Sequence, residues 1–254
     1  MKHTYKLTYI LLALVILVGT VIAFTRTSPT SASAKEPVQQ DQAKWKEHEE
    51  QNKKHFPTAD FNEAESTDAL KRAQRKQKQK RKNGLGLVSP NPEPMSGGSV
   101  FLPQNQFDFP ALPVEESPVI VIGDVLQAEA HLSEDKTNVF SEFTIRVIDV
   151  LKAESSLSGS EMIVERLGGY VQYPDGRKLL YRVGTGGMPR VGGRYLFFLK
   201  PSPEPDYSIL TAYKFNDKGV VPLDPSGQFE KYRGANPKTL RSLVVEALNK
   251  ADRK

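Results

Sequence analysis

The chain has 254 residues, with 35 Lys and Arg against 30 Asp and Glu, and no Cys. The missing Cys excludes disulfide frameworks, Cys-based zinc sites and thiol catalysis. Only 38% of residues are hydrophobic, and many of them sit in one N-terminal block, so no single core runs through the whole chain.

Leu7 to Phe24 is a run of 18 residues without a charge. As a helix it would span about 27 Å, close to the hydrocarbon thickness of a bilayer. Lys2 and Lys6 precede it, which favours a cytoplasmic N-terminus and places everything after Phe24 outside the cytoplasm. Two readings compete. One is an uncleaved single-span anchor. The other is a signal peptide cut after Val21-Ile22-Ala23 or Ala32-Ser33-Ala34. Signal h-regions are usually shorter than this block, which favours the anchor. The expected location is therefore the cell membrane, single-pass with an extracytoplasmic C-terminal domain, or the secreted or periplasmic space after cleavage.

Residues 25–113 read as a polar, basic and Pro/Gly-rich linker, mostly disordered. Thr25 to Pro37 is rich in Ser, Thr, Ala and Pro, and Gln39 to Phe56 is highly charged. Ser66-Thr67-Asp68 suits the cap of a short helix starting near Ala69. Then comes KRAQRKQKQKRK, whose eight cations are Lys71, Arg72, Arg75, Lys76, Lys78, Lys80, Arg81 and Lys82. Without it the chain keeps 27 basic residues against 30 acidic, and the net charge moves from +5 to −3. Three readings apply. The run is a solvated, self-repelling tether, or it contacts an anionic surface such as lipid headgroups or acidic cell-wall polymer. Nucleic-acid binding is the weakest, since no interleaved aromatic residue offers a stacking platform. Asn83 to Pro113 is dense in Gly and Pro; its Phe101, Phe107 and Phe109 suit either an extended strap on the domain or a sticky linker.

The folded part is expected over 114–254, a β-domain to 235 and a helix over 236–254. Val119 to Ile122 is a continuous β-branched run and predicts a strand buried on both faces. Asn138 to Leu151 is the second strand. Its apolar parity changes between Val147 and Ile148, which predicts a bulge or a strong bend, of the kind that helps a small sheet curl into a barrel. Glu161 to Leu167 is the third, ended by Gly168-Gly169. Tyr170 to Val183 predicts a hairpin around Pro174-Asp175-Gly176. Arg194 to Lys200 is apolar on both faces and needs a cover. Two short strands, Ser208–Phe215 and Gly219–Val221, follow. Asn236 and Pro237 suit a helix start, and Leu240, Leu243, Val244, Ala247, Leu248 and Ala251 form one apolar stripe. This helix is expected to cover the barrel's exposed apolar face or to plug one end.

The segment 119–200 resembles an uncharacterised family of exported bacterial β-domains. The matching elements are Val121-Ile122-Gly123-Asp124-Val125, Phe143-Thr144-Ile145-Arg146-Val147 with Val150-Leu151-Lys152, and Ile163-Val164 before Gly168-Gly169. They end with Pro189 to Leu199. The family tends to have Gly after the "VLK" element, where this chain has Ala153. The resemblance implies a small antiparallel barrel of the oligonucleotide/oligosaccharide-binding (OB) type. The fold class is thus mainly β: an OB-like barrel with a C-terminal α-helix, preceded by a transmembrane or signal helix and a disordered linker. No activity or catalytic residue comes with the resemblance.

Candidate chemistry is thin. Gly184 to Gly187 looks like a phosphate cradle but leads to Pro189 rather than a helix, so it reads as an inter-strand loop. His131 is read as a solvent-facing strand-end residue; Glu129, Glu134 or Asp135 would have to join it to hold a metal, and no metal or other cofactor is expected. Asp124 with Glu142 is a carboxylate pair that would serve hydrolysis only if both faced one cleft. The one aromatic-basic cluster is Tyr170, Tyr173, Arg177, Lys178, Tyr181 and Arg182, which on a hairpin would stack on a sugar or peptide and read an acidic group. The leading expectation is a non-catalytic extracytoplasmic binding or assembly module, held to the membrane by residues 7–24, with cell-wall polymer or a protein as partner. The runner-up is an extracytoplasmic hydrolase of wall or extracellular polymer.

Overall fold

The computed structural model describes residues 56–253 apart from 65–66, 85, 90–98, 103–108, 154–156, 158–160, 184–185, 203–205, 226 and 252. All of these fall in one compact unit, Asn52–Lys254. The apolar block 7–24, with the anchor and cleavage expectations that rest on it, lies outside the described residues. Among the described residues no helix is long and apolar enough to cross a membrane.

Five long strands make the body. The β-branched run opens β3 (Val119–Leu132), which pairs antiparallel with β4 (Val139–Lys152), and β4 with β5 (Glu161–Gln172). Further on, β7 (Arg194–Pro201) returns beside β3, and β8 (Tyr207–Asn216) beside β7. Two parallel pairs, Val164 with Tyr207 and Glu165 with Ser208, join β8 to β5 and close a five-stranded barrel. The parity change in β4 marks a real irregularity. Gly123 faces Val147 while Ile122 faces Asp149, so Ile148 is left over as a bulge. The interior is filled by Val121, Val125, Phe143, Ile145, Val164, Tyr195, Phe197 and Ala212, all buried in one cluster.

The alternate residues of β7 face outward. Leu196 and Phe198 join Ile120, Ile122 and Tyr213 in a second apolar cluster, which the C-terminal helix α2 (Pro237–Ala251) covers with Leu240 and Val244. The Asn236 side chain accepts a hydrogen bond from the Lys238 N–H at 2.9 Å, and Pro237 occupies the first helical position. A short strand β9 (Gly219–Pro222) and a 3-10 turn carrying buried Phe229 complete this side.

Gly168-Gly169 bend β5 rather than end it. Their φ angles are 107° and 146°, and a Cβ on Gly169 would lie 2.8 Å from the Ser141 hydroxyl oxygen. Past the bend β5 leaves the barrel and forms the expected hairpin with β6 (Lys178–Val183). This projecting hairpin has an apolar face of its own, which shares one buried cluster with Ala130, Leu132 and Val139 of β3 and β4. Segments expected in the disordered linker complete the cover. Strand β1 (Thr58–Asp60) pairs parallel to β5 at Tyr170–Gln172, and β2 (Ser99–Leu102) pairs parallel to β6. Leu87 and Val88 pack beside Val171, Tyr173 and Leu179. The basic run forms helix α1 (Ala69–Arg81), laid across the barrel.

Candidate functional site

Helix α1 begins where the cap residue predicts. The Leu70 N–H donates to the Asp68 carboxylate at 2.9 Å. The helix has no apolar stripe; Leu70 is 69% exposed. The side chains nearest the barrel are Arg72, Arg75, Lys78, Gln79 and Lys82, spaced by three or four and so on one face, while Lys76, Lys80 and Arg81 are exposed. Lys71 lies in its first turn.

What this face meets is a row of glutamates. Glu142 on β4 stands directly opposite Glu129 on β3 and opposite Glu165 on β5. Like charges directly across a ladder repel, so the row needs cations. Helix α1 brings one to each strand. Arg75 lies 3.8 Å from Glu129, Lys78 2.8 Å from Glu142, and Lys82 2.5 Å from Glu165. The match is geometric: three or four helical residues rise about 4.5 to 6 Å, close to the roughly 4.8 Å between strands. A helix crossing the strands therefore sets successive cations over successive strands.

Asp206, just before β8, deepens the site at its middle. Its carboxylate is 2.7 Å from the Lys78 ammonium and 1% exposed. Neither of its oxygens has a hydrogen bond of good geometry, so this contact is chiefly one of charge. Oxygens of Glu142, Glu165 and Asp206 lie within 4.8 Å of one another, a spacing that could hold a metal ion. In this arrangement the two ammonium groups supply the positive charge instead.

Burial opposes charge on Glu165, but the Lys82 hydrogen bond and charge, with the Ser202 and Ser208 hydroxyls at 2.7 and 3.2 Å, outweigh it. The carboxyl is held below its ordinary value. Burial likewise works against the Lys78 ammonium, and the Asp206 and Glu142 carboxylates beside it more than offset it, so its pKa lies above the ordinary lysine value. These are ionised, mutually neutralised groups. A carboxylate so held is a poor general acid.

His131 sits beside the row and is buried, not solvent-facing as the sequence suggests. Its Nε2 is 3.5 Å from Glu129 and 3.6 Å from Glu142, its Nδ1 is 3.9 Å from Glu63, and its ring lies beside Phe140. Burial and the charges of Arg75 and Lys78 lower its pKa against the pull of Glu63 and Glu129. Of the proposed co-ligands, Glu134 turns to Lys76 at 3.9 Å. Asp135 organises the β3–β4 loop, accepting from the Ser133 hydroxyl, Thr137 and the Gly84 N–H, and its carboxyl falls to about 2. Asp124 does not join Glu142. It lies five positions from Glu129 along β3, bound to Arg194 at 2.7 Å.

The aromatic-basic cluster is gathered on the hairpin, but its rings are inside. Tyr170, Tyr173 and Tyr181 are all buried. The Tyr173 and Tyr181 hydroxyls hydrogen-bond each other at 2.5 Å, and Tyr173 donates to the Ser89 carbonyl at 2.9 Å. Phe61 stacks on Tyr173 and Phe56 meets Tyr170 edge-on. The Lys178 ammonium lies over Tyr170, and Arg177, bound to Asp175, lies by Tyr173. Arg182 is half-buried. The expected stacking platform is thus filled by the chain's own Phe56, Phe61 and Ser89, residues the sequence places in a linker.

No family model matches the chain, and no curated protein matches it. The functional reading therefore rests on the site.

Proposed function

We propose that the chain is a non-catalytic extracytoplasmic binding or assembly module, membrane-tethered or exported, whose OB-like barrel presents an acidic face to cationic segments. The OB-like reading is supported by the strand pattern: a three-stranded meander, a fourth strand returning beside the first, and a fifth closing in parallel on the third. In that fold the second and third strands and the loop between the fourth and fifth carry ligands. Here those elements bear Glu142, Glu165 and Asp206. The observation that carries the reading is the seating of Lys78 and Lys82 on these three carboxylates. Helix α1 is the resident occupant, and a partner of like charge is the natural competitor. A peptide or protein partner fits better than an acidic wall polymer, which the glutamate row would repel.

The test uses the full chain with Lys78→Gln and Lys82→Gln, which loosens the resident helix. A labelled peptide with the sequence of residues 67–84 should bind it, more weakly as salt rises, and should not bind when Glu142→Gln and Glu165→Gln are added. Binding that ignores those carboxylates refutes the reading. The tether half is tested by cell fractionation and by determining the N-terminus of the mature chain. A cytosolic product would remove it. The hydrolase reading has the gathered carboxylates in its favour. It requires cleavage of wall polymer that is lost on Glu165→Gln.

A further inference from the structure

The parallel contact between β5 and β8 lasts only two residue pairs. Beyond it β5 bends away at Gly168, and β8 continues with the barrel. The divergence leaves a cavity of about 360 Å³ beside the glutamate row. Its charge is the reverse of that row. Arg81, Lys82, Arg166 and Lys200 line it, and the only acid in the lining is Glu165, which already holds Lys82.

Arg166 is the informative member. Its side chain is 9% exposed, and one amino group, Nη2, is bound to buried Asp224, which also accepts from Thr211 at 2.8 Å. The other, Nη1, is buried with no hydrogen-bond partner. A guanidinium has five N–H donors, two of them on Nη1, and leaving that amino group dry in an interior is costly. Arg81 and Lys200, in contrast, are exposed and make no ion pair among the described residues. Gly186 presses on the same group: a Cβ there would lie 2.9 Å from Arg166 Nη2. Gly186, from the stretch that resembles a phosphate cradle in sequence, thus approaches a cation by packing on it rather than through a helix N-terminus.

We infer that this cavity binds a small organic anion, whose carboxylate or phosphate head is taken by Arg166, Lys200 and Arg81. Planar guanidinium groups hold either head through paired N–H donors. Apart from Ser208, whose hydroxyl is bound to Glu165, the remaining wall is Leu167, Val183, Ile209 and Leu210, which suits a short carbon body. Helix α1 and the residue after it supply Arg81 and Lys82 to this site, so the site is complete only while the resident helix is docked.

Calorimetry on the full chain tests this, with inorganic phosphate and succinate as probes at fixed ionic strength and chloride as the reference anion. Saturable binding of at least one probe, near one per chain, is expected. Lys200→Gln and Arg81→Gln should each weaken it about tenfold. Arg166→Lys keeps a charge beside Asp224 while losing the fork, and should weaken it further with the thermal transition still cooperative. Lys76→Gln, an exposed cation of α1 outside the cavity, should leave it unchanged. Phosphate binding without succinate binding assigns the phosphate head, and the reverse assigns the carboxylate. Binding of neither probe overturns the inference. So does binding that Lys76→Gln weakens as much as Lys200→Gln does, which would mark a diffuse cationic surface. Peptide competition at the glutamate row is a separate measurement, so each reading can fail alone.

Discussion

Two helices dock on this barrel by opposite physics. Helix α2 buries Leu240 and Val244 completely against Leu196 and Phe198. Helix α1 buries no large apolar side chain and is held by cations over carboxylates. Burying a Leu or Val is worth about 1.5–3 kcal/mol whatever the ionic strength. Ion pairs gain only what remains after desolvation, and salt weakens the exposed ones. The first seam is part of the core. The second is suited to release.

The largest effect should come from the apolar seam. Leu240→Ala should cost about 2–5 kcal/mol of global stability, read as a lower urea midpoint with little dependence on salt. If the loss is below about 1 kcal/mol, the helix is not integral and the contrast fails.

Lys78→Met should act differently. It leaves Glu142 and Asp206 without their ammonium, and uncompensated buried charge usually costs about 3–5 kcal/mol. That cost has a ceiling here, because undocking α1 returns the carboxylates to water. The expected result is local release with the barrel intact. Trypsin should cut the 71–82 run at least tenfold faster, while the urea midpoint moves less than for Leu240→Ala. A global unfolding as large as that of Leu240→Ala would make α1 a structural element rather than an occupant.

The same contrast explains what could be read from sequence. The α2 stripe, its Asn236 cap, the two-faced β7 and the β4 bulge follow local patterns in apolar residues. The Asp68 cap was equally plain. The glutamate row was not, since Glu129, Glu142, Glu165 and Asp206 come together only through strand register. A signal was nevertheless present in the 72, 75, 78, 82 spacing, a helical face written in cations instead of leucines. The burial of the tyrosines is hidden for a related reason. Tyr173 and Tyr181 look free only if residues 56–61 and 87–89 are treated as linker. The parallel closure of β8 on β5 spans two residue pairs and leaves no pattern in either strand.

Salt gives a gentler handle. At 1 M the screening length falls to about 3 Å, comparable with the ion-pair distances at α1. Raising sodium chloride from 0.05 to about 1 M should speed tryptic cleavage of the 71–82 run severalfold. Pairs at Asp206 and Glu165 are buried and screened less, so the release should be partial. Protection that salt does not alter would mean that packing, not charge, holds α1.

Acid should be the smallest perturbation and the most specific. His131 is the only described histidine, and it faces Glu63, Glu129 and Glu142 together with Arg75 and Lys78. Burial and the two cations put its folded-state pKa below the ordinary value of about 6.5. Between that lowered value and about 6.5 the unfolded chain binds the extra proton, so stability rises with pH there and falls as acid is added. The Glu165 contribution has the same sign but is lost only below the ordinary carboxylate range of about 4.5. The interval from about pH 6.5 to 5 therefore isolates the histidine. The melting temperature should drop across it, and the drop should vanish in His131→Phe, whose ring can fill the same space beside Phe140. If the decline survives that substitution, another group sets it. A decline confined to pH below about 4.5 would assign acid sensitivity to the carboxylates of the α1 seam alone.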